Sequence, residues 1–80
     1  MPPTKDQIEA RVNEALVEFG AESDQITHGA TFEALDIDSL DLVELAQIVE
    51  EDYGVEITGE DMKNINTVGQ AIDFVDARTS

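Results

Sequence analysis

Thr-x-x-Gln occurs twice, as Thr4-Lys5-Asp6-Gln7 and Thr67-Val68-Gly69-Gln70, each time ahead of an apolar repeat at three- and four-residue spacing. In this pattern the threonine hydroxyl accepts a backbone N–H of the first helical turn, and the glutamine side chain reaches back to the cap residue's own N–H. After the first copy, Ile8, Val12, Ala15, Leu16 and Phe19 line one face, and Gly20 suits the left-handed position just past a helix end. The spacing predicts a helix over residues 5–19. After the second copy, Val68, Ala71, Ile72 and Val75 form the stripe of a last helix over residues 67–77, with Phe74 either at the core edge or exposed.

Two further start signals lie between them, the second weaker than the first. Asp38 is a good N-cap that places Ser39 in a first turn, with Asp41 three residues on. Leu42, Leu45, Ala46 and Val49 then recur at helical spacing, Leu40, Val43 and Ile48 widen the stripe, and Gly54 stops a helix over residues 39–53. Thr58-Gly59-Glu60-Asp61 opens a short helix over residues 59–64, with Met62 and Ile65 inward, and Val55-Glu56-Ile57 is too short to found a sheet. The expected fold is all-α: one domain over residues 1–80, an up-and-down bundle of three main helices and one short helix. Residues 20–37 remain as a long loop, pinned to the core by Ile26, Phe32, Leu35 and Ile37.

The helices must form against strong self-repulsion. Nineteen Asp and Glu face four Lys and Arg, a formal charge of −15 over 80 residues. At this length the core is near the lower limit for unaided folding, but 41% hydrophobic content in clear helical periods argues for order over disorder. The same charge excludes binding by phosphate neutralisation to nucleic acid and disfavours anionic membranes; basic protein surfaces are the favoured partners. No apolar run reaches the length of a membrane span, and Met1-Pro2-Pro3-Thr4-Lys5-Asp6 lacks the basic and apolar regions of a secretory signal. A cytoplasmic monomer is expected. No Lys or Arg lies between Arg11 and Lys63, a window that holds fifteen of the nineteen acids. Asp41, Glu44 and Glu51 are spaced to share a helix face with no i+4 cation, which points to a partner-facing surface.

Chemistry is scarce in this chain. Cysteine is absent, so there is no thiolate metal site and no cysteine nucleophile. An EF-hand counted from Asp36 fails, because Leu40, Asp41 and Gln47 stand where an oxygen ligand, Gly and Glu are needed. No metal site is expected. His28, the single histidine, lies mid-loop with no nucleophile near it in sequence, and reads as a solvated loop residue. Catalytic residues are therefore not expected. Ser39 remains: either a second capping hydroxyl at a helix start or a site of covalent attachment. An anion there would gain roughly 0.3–1 kcal/mol from the helix N-terminus, opposed by Asp36, Asp38 and Asp41, so only a covalent bond would hold it.

Leu35-Asp36-Ile37-Asp38-Ser39-Leu40-Asp41-Leu42-Val43-Glu44-Leu45 resembles the attachment motif of acyl carrier proteins. Glu50-Glu51-Asp52-Tyr53-Gly54-Val55-Glu56-Ile57 and Ile65-Asn66-Thr67-Val68 continue the likeness, as do the acidity, length and helix order. The resemblance implies a free-standing, catalytically inert carrier. A phosphopantetheinyl transferase would move 4′-phosphopantetheine from coenzyme A onto Ser39, and the arm's thiol would carry acyl groups as thioesters. It also implies that Asp38 helps position magnesium and coenzyme A phosphates in the transferase complex, and that Leu40 and Leu42 flank the arm. Asp41, Glu44, Glu50 and Glu51 would meet basic patches on acyl-transferring and chain-elongating enzymes. Val43, Ala46 and Ile72 would line an acyl pocket.

The chain departs from the family pattern at two sites: Asp36 stands where Gly is common, and Thr58-Gly59 where Pro often follows the isoleucine. Asp41 with Val43-Glu44-Leu45 is closer to fatty-acid carriers than to aromatic polyketide ones, which makes fatty acid synthesis the expected pathway. A polyketide or specialised lipid pathway is the alternative within the class, and an acidic interaction module without a prosthetic group is the alternative outside it.

Overall fold

The structure is a computed structural model that describes residues 3–79; Met1, Pro2 and Ser80, the ends of the expected domain, lie outside the described residues. Among the described residues four α-helices, α1 (Lys5–Glu18), α2 (Ser39–Tyr53), α3 (Gly59–Lys63) and α4 (Val68–Thr79), form a small all-α bundle, with one 3-10 turn at Ser23–Gln25 in the long loop. Among the described residues the one β feature is an isolated antiparallel bridge between Thr31 and Thr67.

Capping chemistry sets the helix starts. The Thr4 hydroxyl accepts the Gln7 N–H at 3.1 Å, and Gln7 Oε1 accepts the Thr4 N–H at 2.9 Å. Thr67 and Gln70 repeat the exchange, both bonds at 3.1 Å, and Gln70 Oε1 also accepts the Asn66 N–H at 2.7 Å. At α3 the weaker signal is also realised in full, because Thr58 and Asp61 form a capping box. The lack of Pro before α3 therefore leaves its start well defined.

Helix ends differ slightly from the expected spans. α1 stops at Glu18, with Phe19 as C-cap, and Ala21 N–H to Leu16 O and Gly20 N–H to Val17 O, both 3.0 Å, close a Schellman motif around Gly20 at φ 108°. Asn64 is the C-cap of α3 rather than its last residue. Thr67 serves as a cap outside α4, and α4 runs on to Thr79, where the Arg78 guanidinium lies 4.4 Å over the Phe74 ring, one turn back.

α1 packs mainly on α4 and more lightly on α2. Ile8, Val12, Ala15 and Leu16 of α1 meet Val68, Ala71, Ile72 and Val75 of α4 and Leu45 and Val49 of α2 in one core. Phe32, Leu35 and Ile37 are buried as expected and Ile26 is partly buried, so the long loop is part of the core wall. The loop is also zipped to the start of α4. Val68 N–H donates to Ala30 O, Gly69 N–H to His28 O and Phe32 N–H to Asn66 O, at 2.9–3.1 Å. A Cβ on Gly69 would lie 2.8 Å from His28 O, so a side chain at this position would push the loop away. By contrast α3 buries no residue fully and rests on the partly buried Ile57 and Ile65 on either side of it.

The apolar stripe of α2 is narrower than expected. Leu45 and Val49 are buried, and Leu42 and Ile48 are partly buried against the core. Leu40 and Val43 do not widen the stripe: they are 75% and 42% exposed, because the helical step turns both away from the core-facing row.

Candidate functional site

Residues 31–38 deliver Ser39 to the surface. Ile37 N–H donates to Phe32 O at 2.9 Å and Asp36 N–H to Glu33 O at 3.1 Å, a tight turn that buries Leu35 and Ile37 on either side of exposed Asp36. Such a reversal requires a left-handed residue, and Asp36 supplies it at φ 58°, the sole positive-φ non-glycine among the described residues. The departure from glycine thus falls on the position where glycine would be least strained.

Asp38 follows in extended conformation, and its Oδ1 accepts the Asp41 N–H at 2.9 Å. Ser39 is then the first residue of α2. It is exposed, and its hydroxyl makes no hydrogen bond among the described residues. Ser39 is therefore not a second capping hydroxyl, since Asp38 alone does the capping. Asp38 also keeps its second carboxylate oxygen without a hydrogen bond among the described residues.

The solvent face of α2 begins at this serine. Leu40, Glu44, Gln47 and Glu51, at steps of four, three and four, form its exposed row, with Val43 and Glu50 along one border. Asp41 lies on the other border and is partly buried, so it does not share the central row with Glu44 and Glu51. Asp52 is engaged elsewhere: Arg11 of α1 donates to it at 2.7 Å, and this contact holds the guanidinium pKa above its usual value. Glu44, Glu50 and Glu51 have no cation within salt-bridge distance among the described residues. The face combines two exposed aliphatic side chains with unpaired carboxylates, which suits a partner with an apolar contact inside a basic surround.

A groove of about 440 Å³ lies between residues 31–37 and α3, walled by Thr31, Phe32, Glu33, Ile37, Leu42, Met62, Lys63, Ile65 and Asn66; Ser39 itself does not line it. Phe32, Leu42, Met62 and Ile65 also line a nearly apolar pit of about 20 Å³, completed by Leu45, Ala46, Ile57 and Ala71. That volume accommodates roughly one water-sized sphere. Of the three residues expected in an acyl pocket, Ala46 lines this pit. Val43 does not, because it is turned to solvent, and Ile72 is fully buried in the core behind it, leaving Ala71 as the α4 lining residue. The three- and four-residue spacing gave the inward face but not which residue would border an opening. Phe32, Met62 and Ile65 were legible as inward residues but carried no signal of a shared groove.

His28 is half-exposed, with Nε2 3.2 Å from Glu9 Oε2, and no serine or threonine hydroxyl hydrogen-bonds to it among the described residues. No helix among the described residues is long and apolar enough to cross a membrane.

The sequence model of one protein family, described as "Phosphopantetheine attachment site", matches residues 8–75. The matched stretch runs from the first buried residue of α1 to the last of α4, with Ser39 and the groove inside it.

Proposed function

Since the chain belongs to the phosphopantetheine-attachment family, we propose that Ser39 receives the 4′-phosphopantetheine arm and that the chain delivers acyl intermediates to enzymes of fatty acid biosynthesis. The family's cofactor is covalently bound 4′-phosphopantetheine, and the chain is a carrier of acyl intermediates that works with transferases and acyl-processing enzymes. Its own sequence has no cysteine, so the thiol that forms the thioester comes from the arm.

The observation that carries the assignment to Ser39 is its exposed hydroxyl, free of any hydrogen bond among the described residues, at the first position of α2. In the transfer the Ser39 oxygen forms the new bond to phosphorus and a phosphoanhydride bond of coenzyme A breaks. Adenosine 3′,5′-bisphosphate leaves, and the serine proton passes to a base of the transferase. Asp38 holds the start of α2 through Oδ1, and its other oxygen would be available to help position magnesium in the transferase complex. Leu40 and Leu42 would supply apolar contacts flanking the arm. Glu44 one turn beyond Ser39, and Glu50 and Glu51 in the last turn of α2, steer basic partners onto the helix, and Asp41 contributes from its border. A cytoplasmic setting accords with this role.

Incubation with coenzyme A and a broad-specificity phosphopantetheinyl transferase, followed by intact mass measurement, tests the attachment. One phosphopantetheine adduct, lost in Ser39→Ala, is expected; an unmodified wild-type chain would contradict it. Reconstitution with ketoacyl synthase, reductase and dehydratase tests the pathway, with iterative chain elongation the expected outcome and a stall at the loaded stage the contrary one.

A further inference from the structure

The groove and the pit share four wall residues, Phe32, Leu42, Met62 and Ile65, so the two spaces abut along them. On its own the pit, at about 20 Å³, has no room for an alkyl segment, whereas the groove beside it is about 440 Å³. Their order from the attachment residue follows from α2. At about 1.5 Å of rise per residue, Leu42 lies about 4.5 Å beyond Ser39 along the helix axis, and the pit residues Leu45 and Ala46 about 9 and 10.5 Å beyond it. A chain that enters from the Ser39 end therefore passes Leu42, where groove and pit meet, before it reaches Leu45 and Ala46.

Three of the four shared walls are fixed. Phe32 is 4% exposed, its N–H donates to Asn66 O at 3.1 Å, and its carbonyl accepts the Ile37 N–H at 2.9 Å. Leu42 and Ile65 pack against the core, and β-branched Ile65 is stiff at χ1. Met62 differs. It is partly buried, stands outside the core cluster and its packed rim among the described residues, and sits on α3, which buries no residue fully. Its N–H donates to Thr58 O at 3.0 Å at the capped start of α3, so the backbone is held while the unbranched thioether side chain keeps three rotatable bonds. Rotation of that one side chain joins the pit to the groove without moving a helix.

We propose that Met62 is a specificity-determining residue for the carried acyl group: its side chain closes the pit to short chains and turns aside for chains long enough to press into it, which sets the length at which a growing chain enters the core. The proposal rests on attachment at Ser39. Opening moves one thioether side chain toward solvent, a fixed cost. Each methylene that follows leaves water and favours the open state by about four-fold. The gain accumulates with chain length and the cost does not, so entry into the pit begins at a threshold.

The test uses the arm-bearing protein, its modification first confirmed by intact mass, loaded with butanoyl, hexanoyl or octanoyl thioester. The methyl resonances of Ile37, which lines the groove but not the pit, and of Ala71, which lines the pit but not the groove, report where the chain lies. Relative to the unacylated form, butanoyl is expected to shift Ile37 alone and octanoyl to shift both. Met62→Ala should bring the Ala71 shift down to butanoyl, and Met62→Phe, which fills the shared wall, should remove it from octanoyl. Hydroxylamine should cleave the hexanoyl thioester at least about four-fold more slowly in Met62→Ala than in wild type, the factor for one methylene withdrawn from water. Should Met62→Phe fail to fold, Met62→Ala alone decides. Failure to form the arm overturns the attachment reading and this inference together. With a normal arm, an Ala71 shift that starts at the same chain length in wild type and Met62→Ala overturns this inference alone. An Ala71 resonance that octanoyl leaves unmoved in wild type likewise overturns it.

Discussion

The Asp38 carboxylate accepts the backbone N–H of Asp41 at 2.9 Å and closes the first turn of α2 without the Ser39 hydroxyl. Capping and presentation thus fall to different residues. In the unmodified protein Asp38→Ala is expected to lower stability by about 1 kcal/mol, the usual worth of an N-cap. Ser39→Ala should stay within about 0.5 kcal/mol of wild type, as for a surface residue without partners. Urea unfolding of both variants checks this, and an equal loss at the two positions would mean that the serine shares the cap.

Asp36 holds the left-handed turn at φ 58° that reverses the chain between buried Leu35 and Ile37. Glycine adopts that conformation without a Cβ clash, so Asp36→Gly is expected to raise stability by up to about 1 kcal/mol. A β-branched residue should do the reverse, with Asp36→Val losing at least about 1 kcal/mol. Thermal melts of the pair decide it, and a destabilised glycine variant would show that the aspartate side chain is needed for more than the turn.

Two exposed carboxylates set the acid limb of the stability curve. Backbone and hydroxyl hydrogen bonds from Thr58 hold the Asp61 carboxyl below its usual range, and the Lys5 ammonium at 2.7 Å does the same to Asp73. Because the folded values lie below the unfolded ones, this stability is fully present above the ordinary carboxylate pKa of about 3.9 and is lost as pH falls through the folded values. Asp61→Asn and Asp73→Asn should therefore flatten the decline below about pH 4, with the Asp73 effect weakened by salt. Melting temperature against pH reads this directly, and an unchanged acid limb in both variants would refute it.

Glu44 and Glu51 lie in the exposed row of α2 without a cation in reach among the described residues. Charge reversal to Lys at both positions is expected to slow association with the transferase, most strongly at low ionic strength, while dissociation changes little. Stopped-flow binding at two salt concentrations separates the rates. Wild-type association at low salt would place docking elsewhere.

The helices were legible because capping chemistry and apolar spacing coincide in short segments: Thr4 with Gln7, Thr67 with Gln70, and Asp38 ahead of Leu42, Leu45 and Val49. Ser39 was legible as a helix-start residue in a recognisable motif, but the sequence left open whether its hydroxyl caps the helix. Only the Asp38–Asp41 bond decides that. The groove was not legible, because it depends on how the loop and α3 stand apart, and no periodicity encodes a gap between elements. Leu40 and Val43 misled for a related reason: an apolar residue at the border of a helical stripe can face either way, and here both face solvent. Nor could spacing show that Asp36 falls on a left-handed turn, which follows from the burial of its two neighbours.

The central claim is that one side chain of this protein, Ser39, bears the arm. Peptide fragmentation after treatment with coenzyme A and a phosphopantetheinyl transferase locates the adduct to a residue. The predicted result is a single phosphopantetheine on Ser39 and none on Ser39→Ala; an adduct on another residue, or a wild-type chain that stays unmodified, would contradict it.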